Sequence, residues 1–410
     1  MTLPPFPDAA TAQAPPAGIA RGRNPGRSRE HNRRVVLELL RRSGPLGRKA
    51  LADLAHISTQ AVTNIIDELM DDGLLLDKGR KRTGRGLPPI QYAINPDGAI
   101  TIGLEIAVGS LTAVVLDLGG NLRAEESVAL PDMAADRVLD RIGATVDRLR
   151  AVVPSRLMGI GVVMPGPFGI EGLTGVGPTT LPDWSGVDVA ASLQRRCGVP
   201  VTVDNDANAA AVGEMLFGQG RAVSGFCMVY FGAGVGLGAI VADQPLKGAF
   251  GNAGEIGHVV VEPGGAPCHC GQAGCLERYV SLHALREAMA RDGDAPDDAA
   301  LLRLHAAGDA SLLAWLDRAA PRLSWVIGLL ENVFDPQTVI LGGKMPRPIL
   351  DALIARLEIP ASVANRRDRA LPRVQRGQTG EESAALGAAA LPFFDAITPQ
   401  LHPAGPLAAP

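Results

Sequence analysis

The sequence contains little that would place the protein in a membrane or outside the cell. It has no run of about 18 consecutive apolar residues, the length that a membrane-spanning helix requires. Its first residues are rich in Pro and Ala and lack the charged start and apolar core of a signal peptide. We therefore expect a cytoplasmic protein with no membrane partner.

Cysteine is also scarce, and the five cysteines are an odd number that does not suit a disulfide framework. Three of them are spaced Cys268-x-Cys270-x4-Cys275, and His258 precedes them. Thiolates and an imidazole are ligands that tetrahedral zinc prefers, and four protein ligands leave no open position for a water molecule. We predict one structural zinc per chain; the alternative is three core or surface cysteines beside an unrelated histidine. His269, between two of the ligands, is expected to be a solvated loop residue rather than a fifth ligand.

The size and charge pattern indicate more than one domain. A chain of 410 residues exceeds the usual size of a single core. Residues 21–90 carry 15 Lys and Arg against 8 Asp and Glu, although the whole chain has a net charge of −4. A basic front part joined to an acidic body suggests that the front part meets a polyanion. The alternative is a solvated charged face.

The front part has the pattern of a DNA-binding module. Residues 1–25 are expected to be disordered, and the apolar spacing within residues 26–95 predicts three helices. The third begins after Ser58, a good N-cap, and Gly73 ends it. A tight turn before the last helix is typical of a helix-turn-helix, whose last helix enters the major groove. The polar residues placed to reach base edges are Thr59, Gln60, Thr63 and Asn64.

A predicted wing follows the third helix. Residues 74–77 and 91–94 read as two strands, and the basic loop between them contains Arg80, Arg82 and Arg85. These cations could neutralise phosphates or enter a minor groove. Some winged modules bind protein or RNA instead. DNA is the favoured partner, and protein and RNA remain the alternatives.

The remainder, residues 96–395, alternates apolar runs with helical patterns, which predicts sheet-centred lobes with ligands in the crevice between them. Residues 396–410 are expected to be disordered. The segments Asp204–Asn208 and Gly254–His258, together with Glu277, place carboxylates and an amide at predicted loop ends. Such groups suit a polyhydroxylated ligand, because a carboxylate can accept from two vicinal hydroxyls. For the first segment, a simple helix N-cap is the alternative.

Together these segments resemble the ROK family (repressors, open reading frames and sugar kinases), and its DNA-binding regulators in particular. The resemblance implies an α/β protein: an N-terminal winged helix-turn-helix followed by an actin-like (ribonuclease H-like) two-lobed sugar-kinase fold. It also implies a zinc that shapes the sugar site, and a homodimer or homotetramer. By position, the residues that match the family's sugar contacts are Asn205, Asp206, Glu255, His258 and Glu277. Asp206 stands where the kinases have their general base.

The sequence departs from the kinase pattern at the phosphate loops. Where kinases of this family carry Asp-x-Gly-Gly-Thr, this chain has Glu105-Ile-Ala-Val-Gly109. Ala107 and Val108 put side chains where backbone must approach phosphate. Ala233 likewise replaces the usual Thr of the second loop. The remaining Gly-rich segments are also consistent with ordinary tight turns.

Two interpretations remain. The favoured one is a transcriptional regulator, a repressor in our reading, that binds a double-stranded DNA operator and responds to a sugar or sugar-phosphate effector. The other is an ATP-dependent hexose or amino-sugar kinase with Asp206 as general base, and a bifunctional protein is a third. The altered first phosphate loop favours the regulator. The identity of the effector, the operator and the direction of the response stay open.

Overall fold

The computed structural model describes residues 28–80, 89–166, 181, 184, 186–361, 363–364 and 368–397. The helices are α1 (Ser28–Ser43), α2 (Arg48–Ala55), α3 (Thr59–Asp71), α4 (Ala135–Val152), α5 (Val189–Cys197), α6 (Asp206–Phe217), α7 (Glu277–Val280), α8 (Leu282–Met289), α9 (Asp298–Ala306), α10 (Ala310–Phe334), α11 (Arg347–Ile354) and α12 (Ser383–Ile397). The strands are β1 (Leu75–Arg80), β2 (Ile90–Ile94), β3 (Ile100–Ala107), β4 (Ser110–Asp117), β5 (Leu122–Ala129), β6 (Leu157–Met164), β7 (Val201–Asn205), β8 (Phe226–Phe231), β9 (Val235–Val241), β10 (Gln244–Pro245), β11 (Thr338–Gly343) and β12 (Val374–Arg376).

Helices α1 to α3 and the β1–β2 hairpin form the front module. The apolar side of α3 is buried. The Ser58 hydroxyl accepts a hydrogen bond from the backbone N–H of Ala61, the third residue of α3, as its N-cap role predicts. Gly73 has a φ of +73°, a left-handed conformation that ends the helix. Strand β1 runs on to Arg80, so residues 78–80, which the sequence suggested as loop, belong to the strand.

The first lobe is a five-stranded sheet in the order β5-β4-β3-β6-β7, with β3 to β5 antiparallel and β3, β6 and β7 parallel. Helices α4 and α5 cover one face, and α12 covers the other. A Cβ added at Gly103 would lie 2.1 Å from the carbonyl oxygen of Ala385, and one at Gly161 would lie 1.8 Å from that of Ala388. Only glycine at these positions lets α12 lie directly on the sheet.

The second lobe repeats this arrangement with the order β10-β9-β8-β11-β12, in which β8 to β10 are antiparallel and β8, β11 and β12 parallel. The long helix α10 packs on it through an apolar side that includes Trp315, Leu323 and Ile327. Helix α6 starts at the end of β7 in the first lobe and packs on β8 and β9 of the second. Within the described residues, every helix is too short or too polar to cross a membrane.

The front module and the first lobe share an apolar core. Residues of α1 such as Val36 and Leu40 belong to the same buried cluster as Leu386 and Phe393 of α12. The predicted N-terminal tail lies outside the described residues. So does the predicted C-terminal tail, except for residues 396 and 397, which belong to α12.

Candidate functional site

The Asp-Asn-Asp segment lies at the junction of β7 and α6. Asn205 is the N-cap of α6, and its side-chain oxygen accepts hydrogen bonds from two backbone N–H groups of the first turn, at 2.8 and 3.4 Å. Asp204 is buried, and its carboxylate pairs with Lys247 Nζ at 2.7 Å. Asn205 therefore serves as an N-cap, and both Asn205 and Asp206 line the crevice between the lobes.

A polar pocket lies in this crevice, with about 450 Å³ of atom-free space that is open to solvent. The five residues that match the sugar contacts all line it: Asn205, Asp206, Glu255, His258 and Glu277. A Cβ added at Gly166 would lie 2.9 Å from Asn205 Nδ2 and 3.1 Å from Glu255 Oε1, so both side chains converge on the same loop. Segments far apart in the sequence thus present amide, carboxylate and imidazole groups to one space.

Two carboxyl groups of the pocket, those of Asp206 and Glu255, have raised pKa values. Burial, and then the nearby charge of Glu105, raise the pKa of Asp206 to about 7. Burial, and then the charge of Glu277, raise the pKa of Glu255 to about 7. These groups lose solvation and repel one another, and hydroxyl donors of a bound ligand would supply the missing hydrogen bonds.

The four predicted metal ligands lie together beside the pocket. One atom from each of His258, Cys268, Cys270 and Cys275 lies within 4.8 Å of all the others. Cys268 Sγ is 3.6 Å from His258 Nδ1, and Cys270 Sγ is 3.6 Å from Cys275 Sγ. A tetrahedral site with metal–sulfur bonds of about 2.3 Å requires sulfur atoms about 3.8 Å apart. The cluster could hold one metal ion, and its three cysteines are free thiols.

The loop geometry explains how the ligands converge. Gly274 has a φ of +84°, and a Cβ there would lie 1.7 Å from the carbonyl oxygen of Glu262. Glycine at this position lets Cys275 pair with Val260 in an antiparallel bridge, which brings the last thiol back toward His258.

His269 differs from the prediction of a solvated loop residue. Its side chain is 15% exposed, lines the crevice pocket, and places Nδ1 3.7 Å from Glu277 Oε1. Its ring also meets that of His258 edge to face, at 5.4 Å between centroids. The prediction was wrong because the backbone turn at Cys268–Gly271 points this side chain inward, which residue spacing does not reveal.

The segment that matches the family's first phosphate loop is built differently. Val108 and Gly109 form the two-residue turn between β3 and β4, and Val108 is 48% exposed. Glu105 is buried; it accepts a hydrogen bond from the Tyr230 hydroxyl at 3.0 Å and pairs with Lys344 Nζ at 2.8 Å. Since Glu105 lies on β3 and Lys344 follows β11, this ion pair connects the two lobes across the crevice.

The predicted DNA-contacting residues form the N-terminal half of α3. Thr59, Gln60 and Asn64 are exposed, Thr63 is half-buried, and Gln60 Nε2 donates to Asn64 Oδ1 at 3.0 Å. The acidic C-terminal half of the helix is neutralised by arginines of α1 and α2: Arg29 with Glu68, Arg33 with Asp72, and Arg48 with Asp67. Arg80 is exposed at the end of β1. Arg82 and Arg85 lie outside the described residues.

A charged cluster joins the front module to the second lobe. Glu38 of α1 is buried and accepts from Arg41 at 2.8 Å and from Arg42 at 2.5 Å. Although burial alone would raise it, the two guanidinium groups hold the pKa of Glu38 below its usual value. Arg42 also lies 3.7 Å from Asp243, in the turn between β9 and β10. The sequence gives no sign of this cluster, because Asp243 lies about 200 residues from Glu38, Arg41 and Arg42.

Comparison with known families agrees with this architecture. The model of the ROK family matches residues 101–393, and the model of the MarR family matches residues 30–76. The chain belongs to the ROK family. The family and fold predicted from the sequence are thereby confirmed: a winged helix-turn-helix precedes an actin-like sugar-kinase fold.

Individual ROK proteins are similar over most of this chain. The xylose repressor of Bacillus subtilis strain 168 is 26% identical over 314 residues, 76% of this chain and 81% of that protein. A crystal structure described as a ROK family transcriptional regulator, homolog of E. coli MLC protein, superposes with a TM-score of 0.71 at 22% identity, covering 90% of this chain and 98% of the other. A ROK family glucokinase from Streptomyces griseus, solved with glucose and AMPPNP, gives a TM-score of 0.60 at 26% identity over 71% and 98% of the two chains.

Proposed function

We propose that this ROK chain is a sugar-responsive transcriptional repressor. The observation that carries the proposal is that one polypeptide combines a winged helix-turn-helix with a pocket in which Asn205, Asp206, Glu255, His258 and Glu277 converge. The similarity to a named xylose repressor supports it. In this proposal the protein acts in the cytoplasm as a homodimer or homotetramer, because paired modules can read two half-sites of an operator.

The ligand is a sugar or sugar derivative. Carboxylates and an amide facing a small polar space accept and donate hydrogen bonds to vicinal hydroxyls. We assign one structural zinc to the four-ligand cluster, where it would fix the loop between His258 and Cys275. His258 and the neighbouring His269 then line the pocket from a rigid loop.

Kinase activity is the second candidate, since the fold is shared with a glucokinase. Phosphoryl transfer needs backbone amides close to phosphate and a metal-binding acid. Here the acid at the matching position, Glu105, is engaged by Tyr230 and Lys344, and Ala107 and Val108 project side chains from the turn. These contacts favour a protein that binds a sugar without phosphorylating it.

Two ion pairs, joined by the short chain segment from Asp243 to Lys247, offer a route from the pocket to the DNA-binding module. Asp204, next to Asn205, pairs with Lys247, which lies just beyond β10. The β9–β10 turn carries Asp243, whose partner Arg42 belongs to the Glu38 cluster of α1. A shift of the lobes on sugar binding would therefore change the seating of α1, and with it the spacing of paired recognition helices.

For DNA, we propose that Thr59, Gln60, Thr63 and Asn64 read base edges while Arg80, Arg82 and Arg85 contact the backbone or a minor groove. The test combines binding to genomic fragments with a panel of hexoses, pentoses and amino sugars. We expect salt-sensitive DNA binding that a sugar changes, and Gln60→Ala should lower sequence preference by about 1 to 3 kcal/mol.

Two results would overturn the proposal. One is the absence of salt-sensitive binding to any genomic fragment. The other is production of sugar phosphate from ATP and magnesium at about 1 per second or faster, lost in Asp206→Ala, which would identify a kinase or a bifunctional protein.

A further inference from the structure

We call the segment from His258 to Cys275, to which the zinc is assigned above, the metal-binding loop. A second pocket lies on the outer side of this loop, between α7, α8 and α10. It has about 610 Å³ of atom-free space, open to solvent, and it shares no lining residue with the crevice pocket. Its walls carry three arginines, two aromatic residues and one carboxylate: Arg278, Arg318, Arg322, Tyr279, Trp315 and Glu287. We call it the arginine groove.

The arginine groove has an excess of positive charge. Arg278 pairs with Glu287 at 2.9 Å, but its Nε has no hydrogen-bond partner among the described residues. Arg322 pairs with Glu262 outside the groove. The Arg318 guanidinium has no ion-pair partner within the described part of the chain, and the Arg318 backbone carbonyl accepts a hydrogen bond from Arg322 at 2.6 Å. With Arg278 and Arg322 each paired to one carboxylate, the Arg318 guanidinium leaves a net positive charge that suits an anion.

The groups present define the chemistry of that anion. Guanidinium groups bind phosphate oxygens through paired hydrogen bonds, and a phosphate monoester carries close to two negative charges. Trp315 and Tyr279 supply apolar walls for the rest of a small molecule, and the Tyr279 ring is held in place by Arg322, 4.4 Å from its centroid. We propose that the arginine groove binds the phosphate group of a small phosphorylated molecule, at a site separate from the sugar pocket.

The groove is connected to the metal-binding loop. The Tyr279 hydroxyl accepts a hydrogen bond from the backbone N–H of Ala266 at 2.8 Å, and Arg322 holds Glu262. Arg278 directly follows Glu277, which lines the crevice pocket. A phosphate that draws Arg322 away from Glu262 would therefore act on the outer side of the loop whose inner side faces the crevice.

The test is titration of the full-length protein with glucose 6-phosphate, inorganic phosphate and glucose, followed by tryptophan fluorescence and thermal unfolding. Arg318→Gln removes a guanidinium that has no ion pair to lose, so the variant should fold. Arg303→Gln, on the exposed side of α9 in the same lobe, is the matched control. We expect Arg318→Gln to weaken binding of glucose 6-phosphate at least tenfold, and the control to change it less than twofold. Binding of inorganic phosphate as well would identify the phosphate group as the recognised element; binding of the ester alone would show that the apolar walls are also needed.

Three results would overturn the inference. The first is absence of binding by either phosphate compound at about 10 mM, a concentration at which ligands with millimolar affinity would be bound. The second is equal binding by wild-type and Arg318→Gln proteins. The third is loss of glucose 6-phosphate binding in Asp206→Ala but not in Arg318→Gln, which would place the ligand in the crevice. Failure of sugar binding there would leave the arginine groove unaffected, so the two proposals fail separately.

Discussion

The two ends of the crevice differ in the kind of group that they present. At the sugar end, side chains of Asn205, Asp206 and Glu255 face a common space. At the end that matches the family's first phosphate loop, Ala107 at the end of β3 and Val108 in the turn carry side chains, and the Glu105–Lys344 ion pair spans the lobes. One end suits hydrogen bonding to hydroxyls, and the other does not suit close approach of phosphate to backbone.

This difference shows how one fold can keep sugar binding while losing phosphoryl transfer. Sugar recognition depends on a few polar side chains, each worth a modest amount of free energy. Phosphoryl transfer depends on backbone positions that any Cβ can obstruct, and on a free acid for the metal. Changes at Ala107 and Val108 can therefore remove transfer while the sugar end is left intact.

The largest effect should come from the loop that supports the sugar end. Cys270→Ser removes one of four metal ligands, so we expect the chain to lose its zinc and about 3 kcal/mol or more of stability, because metal binding contributes directly to folding. Metal analysis and denaturant unfolding measure both. Cys197→Ser, in α5 and away from the loop, is the control and should keep one zinc per chain. A Cys270→Ser protein with wild-type stability would contradict the assignment.

A direct comparison of the two ends comes next. Asp206→Ala removes a carboxylate from the pocket. We expect the sugar affinity, measured as the sugar concentration needed to change DNA binding, to fall ten- to hundredfold, about 1.5 to 3 kcal/mol, while the DNA affinity without sugar stays the same. Val108→Gly at the phosphate end should leave sugar affinity within about twofold. Gel-shift titrations at increasing sugar concentration measure both variants. Equal losses in the two variants would show that the ends are not functionally separate.

The pKa of Asp206 gives a prediction of intermediate size. Burial and Glu105 raise this pKa from 3.8 to about 7, so the native state holds the proton more tightly than the unfolded state. The proton therefore favours the native state at low pH, and that contribution is lost as pH rises from about 4 to about 7. Asp206→Asn should be more stable than wild type at pH 8 by about 1 to 3 kcal/mol, with little difference at pH 4. Denaturant unfolding across this range checks it, and Asp140→Asn, an exposed carboxylate of α4, should show no such gain.

The smallest predicted effect concerns the route to the DNA-binding module. Lys247→Gln and Arg42→Gln act at its two ends, and we expect a coupling energy of about 0.5 to 1 kcal/mol in a double-mutant cycle on DNA affinity. The same cycle with Arg150→Gln, on α4, should be additive within about 0.3 kcal/mol. Additivity in the first cycle would mean that the contacts from Asp204 to α1 carry no signal.

What the sequence could predict depends on how local each feature is. The metal-binding loop and the recognition helix are encoded in short segments, Cys268–Cys275 and Ser58–Gly73, whose spacing specifies their geometry. Edge strand β5 escaped notice because its inward positions are only half-buried and include Glu126, which interrupts the apolar alternation that signals a strand. The Glu105–Lys344 pair could not be predicted, since its partners lie on different lobes and only the assembled crevice brings them together.

The packing of α12 has a consequence for the order in which the protein assembles. This helix lies on the first sheet, on α6 and on α1, yet it is the last described element to leave the ribosome. The front module can form its own helices early in synthesis, but the apolar side of α1 stays without Leu386 and Phe393 until α12 has been synthesised. During translation the helices of the front module therefore exist before α12 does, and the proposed regulation could begin only after α1 and α12 have packed together.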